Sequence, residues 1–335
     1  MKNIKFIPAL ALVAMLAACG GSKVSVKAPK FAKEGKEVEF AEFAEKFNDD
    51  SIFGKLSEES INKDGVPSLS IKTKYSSEIG NKVTEGKDAK SEELEKAVEE
   101  INFKADMKNL RLSVENSKKT EKTGKDYTGA KLSEKASVNS AYAYQYNTKD
   151  SKVLLNYIDV KNETYMSVED MTDATEEQRK EYLAEGALYF VSDYTIHDWF
   201  YDTIYNFESW SEDEQARNKF YLNGNIFTIK YVYDETYEEK NSSDEVVYVQ
   251  HTVENLTMQL DLSKADNFAY KQSDEYSITV DFKQDAEWDG NEYLAGQKLD
   301  LVENSYIDSN LLIKDITLKE VDLSNFICMD DFSLI

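Results

Sequence analysis

Side chains able to do nucleophilic or metal chemistry are scarce in this chain. There are two cysteines, Cys19 and Cys328, and two histidines, His197 and His251, among 335 residues. Cysteine catalysis needs a thiolate with a base beside it, and Cys328 with either histidine has the right residue types at a spacing that neither supports nor excludes the pair. A structural zinc site takes four nitrogen or sulfur ligands at short spacings, and the lone cysteines cannot supply such a set locally. The sequence holds no Gly-x-Ser-x-Gly, no His-Glu-x-x-His, no phosphate-cradling glycine loop and no dinucleotide fingerprint. Asp285-Ala286-Glu287-Trp288-Asp289-Gly290 begins like a calcium loop, but position 12 is Gly296 where a bidentate acid belongs. It reads as a hairpin turn instead. The expectation is a protein without catalytic residues, metal or cofactor, and so not an enzyme. His197 has Asp193 and Tyr201 one helical turn to either side, a line that forms a polar pocket floor or a satisfied core histidine. His251, on an apolar strand face, reads as a core histidine.

Cys19 has a context of its own. Lys2 and Lys5 precede an apolar run from Phe6 to Leu16, then come Leu16-Ala17-Ala18-Cys19 and Gly20-Gly21-Ser22. The run is shorter than the ~20 residues a membrane-spanning helix needs and has the layout of an export signal. It resembles the signal peptide of bacterial lipoproteins. The resemblance implies that the Cys19 thiol takes a diacylglycerol, that a peptidase cuts before it, and that the new amino group is acylated too. It further implies an exported protein, lipid-anchored to the cell membrane and facing outside the cytoplasm, with no disulfide left for Cys328. An ordinary export signal with a chance cysteine is the competing reading.

Removing residues 1–18 takes Lys2 and Lys5 away, so the net charge moves from −24 over 335 residues to −26 over 317. Such a domain repels phosphate backbones and anionic lipid head groups. Nucleic acid is therefore not an expected partner, and membrane holding falls to the acyl chains. Residues 19–36 are rich in Gly, Ser, Lys, Ala and Pro and read as a flexible tether; 37–335 read as a single domain. Three prolines and 13 glycines are few, which suits long regular elements.

Those elements are mostly strands. Apolar alternation marks 69–75, 142–146, 153–157, 164–168, 227–233, 247–262 and 276–282, whereas Ser91 to Ile101 reads as a polar, helix-favouring segment. Phe40, Phe43, Ala44 and Phe47 give a short N-terminal helix. From Thr175 to about Ser209, the residues Leu183, Ala187, Phe190, Tyr194, His197, Tyr201 and Ile204 recur at alternating four and three spacing, the pattern of a long helix buried on more than one side. The apolar parity slips at Glu254-Asn255 and again beyond Ile313, and each slip reads as a β-bulge that bends the sheet. The expected fold class is α+β: a large curved antiparallel sheet, half-barrel-like, packed on that long buried helix with short N-terminal helices. This architecture resembles the half-barrel periplasmic lipoprotein-carrier family and related lipid-binding lipoproteins, with no residue motif shared. The resemblance implies a non-enzymatic protein that shelters an apolar or amphipathic ligand such as a lipid, and the 21 Tyr and 16 Phe could line a cavity for it. Phe190, Tyr194, His197 and Tyr201 are the candidate ligand-binding residues. The alternative is a protein–protein interaction module with an acidic, tyrosine-rich sheet face. A two-lobed solute receptor is disfavoured by the consecutive strands.

Overall fold

The computed structural model describes residues 24–47, 67–86, 91–126, 128–147, 152–160, 163–170, 173–195, 198–284, 286–288, 291–293, 295–320 and 327–328. Within these, Tyr142, Tyr144, Tyr201 and the described parts of 146–170, 186–199, 286–293 and 327–328 are described by backbone alone. The first group of strands is β1 (Lys36–Val38), β2 (Leu69–Glu85), β3 (Glu92–Asp106), β4 (Arg111–Lys125), β5 (Lys131–Asn147), β6 (Lys152–Val160) and β7 (Glu163–Asp170). The second is β8 (Asn218–Asn223), β9 (Ile226–Lys240), β10 (Val246–Lys264), β11 (Asn267–Phe282), β12 (Ala286–Trp288), β13 (Asn291–Tyr293), β14 (Lys298–Ile313) and β15 (Ile327–Cys328). The helices are α1 (Phe40–Lys46), α2 (Glu176–Thr195), α3 (Asp198–Asn206) and α4 (Glu212–Ala216).

All strands but β12 and β13 join one sheet in the order β1-β8-β9-β10-β11-β14-β2-β3-β4-β5-β6-β7-β15. Its neighbours are antiparallel except β7 and β15, which run parallel. Two meanders, β2 to β7 and β8 to β14, are joined side by side by the ladder of β14 on β2, which runs from Lys298↔Glu85 to Ile313↔Leu69. β12 and β13 pair as a separate hairpin.

The protein is therefore mostly β, and the α+β expectation is corrected. No long buried helix packs on the sheet. Of the described side chains of α2, Leu183 alone is buried; Glu176, Glu177, Gln178, Lys180, Glu181 and Glu185 are exposed. Its first turns carry charge where a packing stripe is needed. Helix placement is thus removed as a ground for likeness to the half-barrel carriers.

The strand lengths explain why short helices suffice. Seventeen residues of β2 extend over roughly 58 Å, far more than the helices cover. At one end Phe43, Leu69, Ile71, Phe103, Leu112, Leu183, Phe200, Phe227, Ile229, Met258 and Tyr270 form the main core, with rings in contact such as Phe43 and Phe220 at 5.1 Å between centroids. Toward the other end of the same face Tyr248, Val280, Phe282 and Leu299 form a smaller cluster. We call this the helix face.

Two further expectations change. The segment from Ser91 to Ile101 is strand, the first two-thirds of β3. Several of its charges are matched across the sheet: Lys96 pairs with Glu78, Lys122 with Glu93 at 2.9 Å, and Asn116 donates to Glu99 at 2.6 Å. Cross-strand charge pairs outweigh the local helix preference. No bulge sits at Glu254-Asn255, where β10 keeps register with both neighbours; its register shifts lie at Val246/Tyr248 and Asp261/Lys264. The parity slip instead marks where the apolar side of β10 changes face, from half-buried Val249 and Val253 on one side to buried Leu256, Met258 and Leu260 on the helix face.

On that other face lies the stretch read as a tether. From Val24 it crosses the sheet as a strap: Val24 N–H donates to Glu121 of β4, Lys271 of β11 donates to the Lys30 carbonyl, and Gln259 of β10 exchanges two hydrogen bonds with Ala32. Lys230 then pairs with Glu34 at 2.6 Å and β1 joins β8. Glu121 and Lys271 stand four strands apart, and the row through Glu121 meets β11 at Glu275, four residues from Lys271. Those offsets amount to roughly 23 Å, about the reach of seven extended residues, so Val24 to Lys30 spans the sheet nearly taut. Ser76, Ser273, Gln259 and Thr228 are buried along this strap face. The C-terminal segment is clasped near β3: Asp106 accepts from the Leu318 N–H at 2.8 Å and Arg111 donates to the Leu318 carbonyl at 2.7 Å.

Candidate binding site

Between its two apolar clusters the helix face stays solvent-accessible, and that strip carries the most unusual chemistry among the described residues. Strand register sets Tyr233, Glu254 and Tyr276 side by side, with Tyr231, Leu256 and Asp274 forming the next row. Arg217 closes the row at the β8 end. Its position follows from a capping box: Ser211 accepts from the Glu214 N–H at 3.3 Å while Glu214 accepts from the Ser211 N–H at 3.0 Å. This starts α4, whose C-cap is Arg217. The Arg217 carbonyl then accepts from Val232 at 3.0 Å, fixing the guanidinium 4.6 Å from the Tyr233 ring centroid and beside Glu235.

Glu254 is the centre of the strip. It is half-buried, and among the described residues it has neither a hydrogen-bond nor an ion-pair partner. Burial, with the neighbouring Asp274 charge adding to it, pushes its carboxyl above the usual range. Burial and then the Glu254 charge likewise push up the phenols of Tyr231 and Tyr276. Tyr233 donates to Glu235 at 3.2 Å. The strip thus offers three aromatic faces around a carboxylate that lacks a donor, bordered by half-buried Ile278 and Leu301. It suits a molecule with an apolar body and a donor or cationic head.

Phe190, Tyr194 and Tyr201 are described by backbone alone, on α2 and α3, and His197 and Cys19 lie outside the described residues. His251 is exposed, with Nε2 2.8 Å from Asp234, not in the core. No group of residues fit to hold a metal ion occurs among the described residues. A separate cleft of about 970 Å³ opens among the hairpin tips, lined by Lys82, Glu85, Gly86, Glu92, Lys125 and Lys131 among others.

No family model matches the chain, and no curated protein matches its sequence. Among solved structures it is similar, at 8% identity, to the β domain of the Bordetella autotransporter BrkA (TM-score 0.21; 73% of this chain and 99% of that one). It is similar at 8% identity to OccK7 (OpdD) of Pseudomonas aeruginosa (TM-score 0.16; 73% and 98%). A FadL homologue from Pseudomonas aeruginosa is also 8% identical (TM-score 0.15; 74% and 90%). Likeness this loose carries neither fold nor function to this chain.

Proposed function

We propose that the chain is an extracytoplasmic lipoprotein, held to the cell membrane by acyl chains on Cys19, whose helix face binds an apolar or amphipathic ligand without chemical conversion. The anchor reading rests on Leu16-Ala17-Ala18-Cys19 behind its short basic and apolar lead. The binding reading rests on one observation: the half-buried, partnerless Glu254 set between Tyr233 and Tyr276. A carboxylate raised in pKa at an aromatic, solvent-accessible surface gains a donor when a ligand arrives. The alternative, a protein-docking face, calls for a contiguous exposed apolar patch. The large exposed apolar residues among those described are instead scattered: Ile79 and Tyr237 on the helix face, Val232 and Val302 on the strap face, Tyr205 on α3.

Native mass spectrometry of protein purified from its own host tests the binding half. A small amphipathic compound should travel with the wild type, and its retention should fall roughly tenfold in Tyr233→Ala/Tyr276→Ala. A wild type without passenger, or a variant that keeps it equally, overturns the reading. For the anchor, Cys19→Ser should abolish labelled palmitate uptake and release the protein from membranes. Palmitate-free wild type that still sediments with membranes overturns that half.

A further inference from the structure

The net charge of −24 hides a segregation that strand register brings out. On the strap face, the outer parts of β2 to β5 place Lys82, Lys96, Lys119, Lys125, Lys131 and Lys135 together. Glu78, Glu85, Glu92 and Glu121 stand among them on that face, Glu85 being held by Lys298 at 2.9 Å. Lys96 is paired to Glu78 and Lys135 to Glu121, and Glu121 also receives the Val24 N–H. Lys119, Lys125 and Lys131 are exposed and form no ion pair among the described residues. The same stretch seen from the helix face is the reverse, with Lys118 and Lys122 against Glu93, Glu95, Glu99 and Glu134. Across β9, β10, β11 and β14 the strap face turns acidic again, with Asp234, Glu238, Asp261, Glu275, Asp281, Asp300 and Asp308 outnumbering Lys230, Lys240, Lys271 and Lys298.

Chain geometry adds a second, independent observation. The strap starts on this basic patch, because Val24 is fixed to Glu121 at its middle. Val24 is five positions along the chain from Cys19, and even fully extended those steps reach only ~17 Å. A lipid on Cys19 therefore keeps the basic patch within that distance of the bilayer. The cleft of about 970 Å³ lined by Lys82, Lys125 and Lys131 lies at the same end.

We propose that the strap-side patch of β2 to β5 docks on anionic phospholipid head groups, with Lys119, Lys125 and Lys131 meeting their phosphates. The proposal rests on the acyl-anchor reading of Cys19. It assigns the domain one orientation: the strap side of β2 to β5 toward the surface, and the helix face with its Glu254 strip directed away from it. A few lysines near an anionic leaflet reinforce an acyl chain without replacing it.

Acylated full-length protein is reconstituted in vesicles of phosphatidylcholine alone or with phosphatidylglycerol, and surface lysines are labelled with a soluble acylating reagent and read by mass spectrometry. Lys119, Lys125 and Lys131 should be labelled roughly threefold less on the anionic vesicles, with Lys219 and Lys264 unchanged. About 1 M salt, where screening shortens to ~3 Å, should erase the difference, and Lys119→Glu/Lys125→Glu/Lys131→Glu should erase the matching protection of neighbouring Lys82 without loss of flotation. Protein that floats with both vesicles yet labels equally overturns the proposal alone. Protein that floats with neither overturns the anchor reading and the proposal together. Protection of these lysines on intact cells but on neither vesicle gives the patch to a protein partner and overturns the lipid reading.

Discussion

Glu254 sits where a sheet ordinarily tolerates a charged residue least, midway along a central strand with Tyr233 and Tyr276 on either side. Its neighbour Asp274 adds like charge instead of a counter-ion. The sign of the pH effect follows from the raised carboxyl. The folded state binds the proton more readily than the unfolded chain, so whatever stability the protonated form provides is complete below the ordinary glutamate value of 4.5 and is lost as pH climbs above it. Glu254→Gln removes that loss. At pH 7 the variant should be more stable by about 0.5 kcal/mol, a figure discounted for solvent screening of a half-exposed group. At pH 3.5 the gain should vanish. Paired urea titrations at the two pH values check it, and an equal effect at both, or a loss at pH 7, contradicts the assignment of Glu254 as a charge without a partner.

At the scale of elements, alternation made β2, β9 and β11 readable, because each buries one parity on the helix face over a long run. β3 escaped, since Glu92-Glu93-Leu94-Glu95-Lys96 favours a helix until Glu78 and Lys122 stand opposite, and sequence alone does not reveal its neighbours. The candidate site was half visible. The slip at Glu254-Asn255 shows in the sequence and suggests a bulge, whereas it marks a change of covered face; Arg217 carries no local signal until the Ser211 box places it. The strap was hidden for a different reason. It docks through hydrogen bonds with few apolar residues, so composition made it look free. Gln259 holds it, with Oε1 accepting from Ala32 N–H at 2.7 Å and Nε2 donating to the Ala32 carbonyl at 3.1 Å and to Thr228 at 3.0 Å. Gln259→Ala should cost about 2 kcal/mol and loosen the strap first. Trypsin should then cut at Lys30 and Lys33 well before the sheet loses amide protection, and an unchanged cleavage rate there argues against the strap's dependence on Gln259.

For the whole molecule, the decisive feature is that two meanders, each built from sequence neighbours, close side by side through strands more than two hundred residues apart. β14 and β2 meet along their full length, and within that ladder the Thr73 and Ser309 hydroxyls lie 2.8 Å apart, both buried. The apolar side chains of Ile71, Leu311 and Phe103 surround the same rows of the main core. A contact of this sequence separation forms late and slowly, because loop closure precedes its gain, and the core it completes belongs to both meanders. Weakening the seam should therefore weaken both halves at once. Ser309→Ala leaves a buried Thr73 hydroxyl short of one partner and should cost about 1–2 kcal/mol, whereas Ser309→Ala with Thr73→Val removes both hydroxyls and should recover part of that loss. Hydrogen exchange supplies the check at the scale of the molecule. In Ser309→Ala the amides of β3 and β4 and those of β10 and β11 should lose protection by the same factor. Protection lost in one meander and kept in the other makes each a separate folding unit, and the β14–β2 ladder a contact between two domains instead of the middle of one.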